Sequence, residues 1–238
     1  MEWVVTLSGN AHVLEELSKV FNTPDTCIQR DNEHFVLKSR DWVDFTSCEQ
    51  VRDHTNEILA SLNGAAKLSL GSHSSITIGS ISKIHNDGSR HTYVSVKFVA
   101  APATITISAR ITRADGTIEE FHPADPVVTW MDLSQRDANV KRALYLIEND
   151  FETWYGLYKV YEVIREDVGD IPGKGWCAQA ELKRFTQTAN SPEAIGVDAR
   201  HGKKIPAPPD PMSLSSAKAF IKNLIYEWFK EKQIQYNI

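Results

Sequence analysis

Basic and polar side chains concentrate between residues 183 and 204, and this segment is the part of the sequence best suited to chemistry. Six cationic or imidazole side chains fall within 22 residues, against two carboxylates: Lys183, Arg184, Arg200, His201, Lys203 and Lys204. Cations neutralise a phosphodiester, and an imidazole transfers protons near neutral pH. We therefore predict a phosphodiester site here. Its candidate catalytic residues are Arg184, Asn190, Arg200 and His201, and its candidate binding residues are Lys183, Lys203 and Lys204.

A structural interpretation of the same segment needs no ligand. Arg200, Lys203 and Lys204 can form a basic turn that faces water, with His201 capping the turn. Long charged side chains on loops are usually solvated, so the residue types alone do not separate the two interpretations. Both stay open until the positions of these side chains are known.

Other catalytic and metal-binding motifs are incomplete. Gly169–Gly175 has three residues between its first two glycines where a phosphate-binding loop has four, and Gly175 stands where Ser or Thr would hold magnesium. The glycine needed to complete a serine-hydrolase elbow after Gly79 is missing. His85 and His91 flank a turn and can lie opposite each other across a hairpin, but two ligands do not make a site. The sequence therefore predicts no metal and no cofactor.

The composition describes a globular protein. The chain has 238 residues, 42% of them hydrophobic and 24% charged. A chain of this length and composition can bury a hydrophobic core without disulfides or bound metal ions. The overall net charge is −5. Residues 1–133 hold 11 basic and 17 acidic residues, a net of −6, and residues 134–238 hold 15 and 14, a net of +1. Neither half has the basic excess of a generic nucleic-acid binder, so only a local basic patch is compatible with such a function.

Cysteine usage and hydropathy predict a cytoplasmic location. The three cysteines are widely spaced and form no Cys-x-x-Cys motif, which argues against a disulfide framework and a zinc ribbon. Glu2 stands where a signal peptide would be basic, and the apolar run behind it is too short for such a signal. No stretch of 18 consecutive apolar residues occurs, so we expect no membrane span.

The first half of the chain predicts a mixture of strands and two helices. An alternating strand over residues 1–7 precedes a helix whose apolar residues recur at helical spacing: Val13, Leu14, Leu17, Val20 and Phe21. Two strands follow at Cys27–Arg30 and His34–Lys38. Ser47 and Gln50 form a capping box for a second helix, which we expect to end at Asn63-Gly64.

From Lys67 to His122 the pattern is typical of strands. Asn86-Asp87-Gly88 and Ala114-Asp115-Gly116 are hairpin turn sequences, the second between Ile105–Ile111 and Ile118–Phe121. The order strand, helix, strand, strand, helix, strand resembles the split β-α-β unit of ferredoxin-like folds, extended by an antiparallel meander. We predict an α+β protein in which an antiparallel-sheet domain with two helices, residues 1–133, precedes an all-α helical domain, residues 134–238.

The second half is dominated by one helical pattern. The hinge is expected at His122–Pro126, with a last strand at Val127–Trp130. Ser134, with Asp137 three residues on, is the predicted helix N-cap. Behind it, apolar residues step by 4 and 3: Val140, Leu144, Ile147, Phe151, Trp154, Tyr158 and Tyr161. This seam predicts one helix over Gln135–Val168, about 51 Å long. Shorter helices are expected at Ala178–Ala189 and after Ser213, separated by a proline-rich stretch.

A helical domain with two long apolar helices, a polar loop and a closing helix resembles the HEPN superfamily. The resemblance implies a small helical module of bacterial defence, toxin or RNA-processing systems, many of which are metal-independent endoribonucleases. The family's hallmark is Arg, often followed by Asn, Asp or His, then four to six residues and His. Here His201 directly follows Arg200, and Asn190 stands six residues after Arg184 in place of the histidine.

Three functions are compatible with these patterns. The first is a recognition or assembly protein with a HEPN-like module, an RNA or protein partner, and a possible homodimer through the helical domain. The second is a metal-independent endoribonuclease that uses the Arg/His cluster at 184–204, with His201 as acid and base. The third is a small-molecule enzyme of the strand-rich half, for which no residue is nominated. Whether the protein is an enzyme stays open at this level.

Overall fold

The computed structural model describes residues 2–72, 74–87, 89–94, 109–112, 118–121 and 124–238, and for residues 94, 109–112 and 118–121 it describes the backbone alone. The chain divides into two compact units, Met1–Met131 and Asp132–Ile238. The first unit contains a five-stranded antiparallel sheet and the second is built from helices, so the predicted α+β class is confirmed. The domain boundary predicted from the sequence lies between Leu133 and Ser134, two residues beyond this division.

The sheet of the first unit has the topology that the element order predicted. Its strands are β1 (Glu2–Ser8), β2 (Thr26–Asp31), β3 (His34–Ser39), β4 (Thr77–Ile84) and β5 (Arg90–Val94). They stand in the order β2-β3-β1-β4-β5, and every neighbouring pair is antiparallel. Helix α1 (Ala11–Val20) connects β1 to β2, and β3 lies between these two strands. This is the split β-α-β arrangement of ferredoxin-like folds, with β5 added at one edge.

Local sequence signals explain how the sheet and its first helix form. The side chain of Asn10 accepts hydrogen bonds from the backbone N–H groups of His12 and Val13, which begins α1. The helix buries Leu17, which is fully inaccessible to solvent, and the central strands bury Val5 and Leu37 to the same degree. Burial of such aliphatic side chains is the main favourable term in folding.

The second helix, α2, is longer than predicted. It runs over Cys48–Leu70, and the predicted capping box of Ser47 and Gln50 is present at its start. The predicted end at Asn63-Gly64 is wrong because Asn63 is buried and binds Ile76 twice. Its amide oxygen accepts from the backbone N–H at 2.8 Å, and its amide nitrogen donates to the backbone carbonyl at 2.9 Å. The helix ends instead at Gly71, whose φ of 63° is the left-handed conformation of a helix C-cap.

The strand-like pattern after Lys67 is only partly realised. Residues 67–70 are still helical, while β4 and β5 form the hairpin predicted around Asn86-Asp87-Gly88. Strands β6 (Ala109–Thr112) and β7 (Ile118–Phe121) pair antiparallel as predicted. Their turn at 113–117 and the preceding Ile105 and Ile107 lie outside the described residues.

The described part of the segment predicted as a hinge and last strand is largely helical. Helix α3 spans Asp125–Arg136, so the strand expected at Val127–Trp130 is wrong. Pro126 lies in the first turn of this helix, where its missing N–H would have no intrahelical partner. His122 and Pro123 lie outside the described residues. The N-cap predicted at Ser134 is wrong, because Ser134 belongs to α3 and the next helix is capped by Asp137.

The predicted long helix is in fact a helical hairpin. Helices α4 (Ala138–Asp150) and α5 (Trp154–Val168) are separated by three residues. They run antiparallel, since Asn139 at the start of α4 donates to Asp167 at the end of α5 at 3.0 Å. Thr153 caps α5, and a Cβ atom on Gly156 would lie 2.0 Å from the carbonyl oxygen of Asp150. The prediction of one helix was wrong because the apolar spacing continues across this short turn.

Three further helices complete the second unit. They are α6 (Gln179–Asn190), the single turn α7 (Pro192–Ile195) and α8 (Leu214–Tyr236), which confirms the helices expected near Ala178–Ala189 and after Ser213. Phe185 of α6 and Trp228 of α8 are fully buried in the core of this unit. Within the described residues, no helix has the length and apolarity needed to cross a membrane.

Candidate functional site

Arg184, one of the four predicted catalytic residues, is occupied by a contact within the chain. It lies on α6, and its Nε donates to the backbone oxygen of Asp210 at 2.7 Å. Its Nη2 also lies 2.8 Å from the Oδ2 atom of the same aspartate. Arg184 therefore connects α6 to the proline-rich segment before α8. We interpret this contact as structural.

Asn190 and Arg200 meet at Tyr158 of α5. The guanidinium of Arg200 lies 4.5 Å from the centroid of the Tyr158 ring, and its Nη2 donates to Glu162 Oε1 at 2.8 Å. The amide nitrogen of Asn190 lies 3.4 Å from the Tyr158 hydroxyl and donates to the backbone oxygen of Thr186 at 2.8 Å. Its Oδ1 atom is buried and has no hydrogen-bond partner among the described residues.

His201, Lys203 and Lys204 lie on the loop beyond this contact. His201 is partly buried and the two lysines are exposed. Within the described part of the chain, no hydrogen bond, ion pair or ring contact joins His201 or Arg184 to Asn190 or Arg200. The structure thus brings two of the four predicted catalytic residues together and leaves the other two apart from them.

A concavity of the second unit lies between α5 and α6, and we call it the α5–α6 pocket. It has a volume of about 520 Å³ and is lined by Tyr161, Arg165, Gly169, Asp170, Ile171, Pro172, Gln179, Leu182, Lys183 and Thr186. The predicted binding residue Lys183 is one of these. The two helices run antiparallel here, since Tyr158 near the start of α5 contacts Asn190 at the end of α6. A concavity of this size accommodates a nucleotide or a similar small ligand.

The charges of the pocket are mainly positive. Arg165 and Lys183 are exposed cations, and Asp170 is the one carboxylate in the lining. Burial raises the pKa of the Tyr161 hydroxyl, although a hydrogen bond with Arg165 opposes the rise. Tyr161 is therefore neutral at physiological pH and offers both a donor and an acceptor. The lysine ammonium of Lys183 makes no ion pair with the carboxylates of the described residues.

Contacts between neighbouring side chains connect the pocket lining to Arg200, which is not itself part of that lining. The rings of Tyr158 and Tyr161 meet edge to face with centroids 5.4 Å apart, and Thr186 lines the pocket while its carbonyl binds Asn190. We call the combined surface the α5–α6 groove, and its polar members are Tyr158, Tyr161, Arg165, Lys183, Asn190 and Arg200. Arg165 and Tyr161 were not predicted as site residues because both fall within the apolar pattern of one long helix. Their signal was the four-residue spacing, which places them on one helix face.

A second charged cluster of the helical unit is buried. Lys232 of α8 lies 2.7 Å from Asp137 Oδ2 and 2.8 Å from Asp167 Oδ2. The indole N–H of Trp228 donates to Asp167 at 2.8 Å, and the hydroxyl of Tyr236 donates to Asp137 at 3.2 Å. Burial disfavours the charge of Lys232, but the hydrogen bonds to both aspartates outweigh it and raise its pKa. We call this arrangement the Lys232 network. It joins the start of α4 and the end of α5 to α8.

Histidine pairs elsewhere do not extend to a metal centre. The rings of His85 and His91 lie across the β4–β5 hairpin with centroids 4.9 Å apart, as the turn sequence predicted. Over the residues that the structure describes, His, Cys, Asp and Glu side chains form no group of three or more that could hold a metal ion. No protein-family model matches the chain, and no curated protein or solved structure shows significant similarity to it. The α5–α6 groove is therefore the candidate site on the strength of its own geometry.

Proposed function

We propose that the chain is a recognition protein whose helical unit binds single-stranded RNA in the α5–α6 groove. The observation that carries this proposal is the placement of Arg165 and Lys183 beside the Tyr161 hydroxyl in one pocket. Cations of this kind bind phosphate oxygens, and neutral hydroxyl groups add hydrogen bonds. Of the partners predicted from the sequence, this proposal adopts RNA. The predicted homodimer through the helical domain stays a prediction.

The position of Arg200 supports RNA as the phosphate-bearing ligand. Its guanidinium lies over the Tyr158 ring and the residue is exposed, so a flat cation stands beside the pocket. Proteins bind single strands by combining cations that follow the backbone with flat groups, including guanidinium planes, that stack on bases. Tyr158 and Tyr161 are themselves buried, so they position Arg200 and the pocket hydroxyl and do not stack on a base.

The HEPN-like interpretation of the helical unit belongs to this proposal. An antiparallel pair of helices, a polar loop and a closing helix are all present in the second unit. Catalysis is the alternative, and the contacts of its residues do not favour it. Arg184 pairs with Asp210 and Arg200 pairs with Glu162, and no contact among the described residues joins His201 to either guanidinium. The three groups are therefore not gathered around one position for a phosphate.

The binding proposal is tested by measuring the anisotropy of a labelled 12-nucleotide RNA of mixed sequence as protein is added. Arg165→Gln/Lys183→Gln should weaken binding about tenfold at moderate salt because two phosphate contacts are lost. The slope of log K against log salt should fall by about 1.4. The matched control is Arg142→Gln/Lys230→Gln, which removes two exposed cations outside the groove. Equal loss in both variants would show nonspecific attraction and would contradict the proposal.

The nuclease alternative is tested with the same RNA in EDTA. We expect the wild type to leave the RNA intact over hours. Cleavage that persists in EDTA and disappears in both His201→Ala and Arg200→Ala would replace the binding proposal by the endoribonuclease.

A further inference from the structure

A smaller pocket lies in the strand-rich unit, at the edge of the sheet where β1 and β2 begin and β3 ends. Its volume is about 310 Å³, and it is lined by Glu2, Trp3, Pro24, Asp25, Thr26, Cys27, Lys38, Ser39, Arg40, Trp42 and Val43. We call it the β-edge pocket. Every lining residue belongs to the first unit, so the pocket is complete within that unit.

The apolar wall of this pocket is rigid. Trp3 and Trp42 are both buried. The indole N–H of Trp3 donates to the backbone oxygen of Phe45 at 2.9 Å, and that of Trp42 donates to His54 Nδ1 at 3.0 Å. Both indole N–H groups are engaged, so the tryptophans present carbon atoms to the pocket, Trp3 with 6% and Trp42 with 1% of its surface exposed. Val43, which is 75% exposed, continues this surface at the mouth.

The rim of the pocket carries charges of both signs. Lys38 Nζ lies 2.9 Å from Glu2 Oε1, and Arg40 Nη1 lies 3.7 Å from Asp25 Oδ1. All four side chains are at least one-third exposed, and ion pairs in such positions contribute little free energy. A ligand that carries both charges can therefore exchange partners with either pair at low cost.

We infer that the β-edge pocket binds a zwitterion with an apolar body, namely an α-amino acid with an aromatic or large aliphatic side chain. Its carboxylate binds Lys38 and Arg40, its ammonium binds Glu2 and Asp25, and its side chain packs against Trp3 and Val43. The volume is at the lower end of the range of ligand pockets and suits a molecule of about a dozen non-hydrogen atoms. This site is independent of the RNA proposal, since it lies in the other unit.

The free thiols of the chain provide a local probe of occupancy. Cys27 lines the β-edge pocket, whereas Cys48 and Cys177 lie outside it and serve as internal controls. Burial raises the pKa of the Cys27 thiol, so alkylation is run at about pH 8.5. The rate at each cysteine is measured by peptide mass spectrometry with L-phenylalanine, phenylacetate or 2-phenylethylamine present. L-Phenylalanine should slow the alkylation of Cys27 alone, at concentrations about threefold to fivefold lower than either single-charge analogue needs.

A pair of arginine variants tests which group receives the carboxylate. Arg40→Gln should weaken protection by L-phenylalanine about threefold and leave protection by 2-phenylethylamine unchanged, because that analogue has no carboxylate. Arg30→Gln is the matched control, since Arg30 is an exposed, ion-paired arginine of β2 outside the pocket. Equal protection by all three compounds would overturn the zwitterion assignment. No protection of Cys27 by 10 mM L-phenylalanine would overturn the site itself.

Discussion

The Lys232 network and the α5–α6 groove both use charged side chains of the helical unit, but they place them in opposite environments. The lysine of the network is 5% exposed and makes close contacts with two carboxylates. The two pocket cations of the groove, Arg165 and Lys183, are exposed beside a buried tyrosine. A buried charge is tolerated only with full pairing, while an exposed cation stays free to meet a ligand. The difference separates charges that hold the fold from charges that can recognise a partner.

The largest expected effect comes from removing the central cation of the network. Lys232→Met should lower the free energy of unfolding by about 3–5 kcal/mol because it leaves the buried Asp137 and the partly buried Asp167 beside each other without a counter-charge. Urea denaturation followed by circular dichroism measures the change. Lys230→Met on the exposed side of α8 is the matched control and should change stability by less than about 0.5 kcal/mol. A loss below about 1 kcal/mol in Lys232→Met would show that the network is solvated in solution.

The turn that brings the two aspartates together should be the next most sensitive place. In Gly156→Ala the new Cβ would lie 2.0 Å from the carbonyl oxygen of Asp150, so the α4–α5 turn has to move. We expect a loss of about 2–3 kcal/mol in the free energy of unfolding. Gly202→Ala is the control, since its added methyl group would meet nothing within 4 Å. Equal stability of the two variants would contradict the close packing of this turn.

The α4–α5 turn is a feature that the apolar spacing of the sequence does not determine. Phe151 and Trp154 are both buried, so the step of 4 and 3 continues through a three-residue break and does not distinguish a long helix from a hairpin. The capping box at Ser47 and the Asn86-Asp87-Gly88 turn were predictable because a few adjacent residues determine each of them. The hydrogen bonds of Asn63 could not be predicted in this way, since its partner Ile76 lies 13 residues away and no local sequence pattern indicates the contact.

The candidate site also has features that the sequence predicts and features that it does not. A basic cluster at 183–204 was visible in the sequence, and the structure places Lys183 in the α5–α6 pocket and brings Asn190 and Arg200 together at Tyr158. The carboxylates that occupy Arg184 and Arg200 could not be predicted, because Asp210 and Glu162 are distant in sequence. Lys232 on a helix is normally solvated, and only the three-dimensional packing shows that it is buried between two aspartates.

Low pH should reduce the stability contributed by the Lys232 network, and the loss should be smaller than the loss in Lys232→Met. Burial alone would raise the pKa of Asp167, but hydrogen bonds from Lys232, Trp228 and Asn139 outweigh it and lower the pKa. A carboxyl with a depressed folded-state pKa contributes stability above its unfolded pKa of about 3.9, and this is lost as the pH falls through the folded value. We therefore expect the wild type to lose stability below about pH 4 more steeply than Asp167→Asn.

Urea midpoints at several pH values between 5 and 2 measure this difference. Asp198→Asn is the control, because Asp198 lies on an exposed turn away from the network. Its stability should follow the wild type at every pH. Parallel curves for the wild type and Asp167→Asn would mean that the folded protein does not favour the ionised form of Asp167.

The smallest effect on stability is expected in the groove, where the effect on binding should be large. Arg165→Gln removes an exposed cation, so the free energy of unfolding should change by less than about 0.5 kcal/mol. The same change removes the hydrogen bond that opposes the raised pKa of Tyr161. A spectrophotometric titration should therefore show the pKa of one tyrosine moving further upward.

This pair of measurements keeps a structural role apart from a binding role. If Arg165 served the fold as Lys232 does, Arg165→Gln would lower stability by several kcal/mol and affect RNA binding only through unfolding. If it serves recognition, the folded variant keeps its urea midpoint and loses affinity, and Arg142→Gln changes neither. A stable Arg165→Gln variant with unchanged RNA affinity would remove the groove from consideration. The charges that bind a partner would then have to be sought elsewhere on the helical unit.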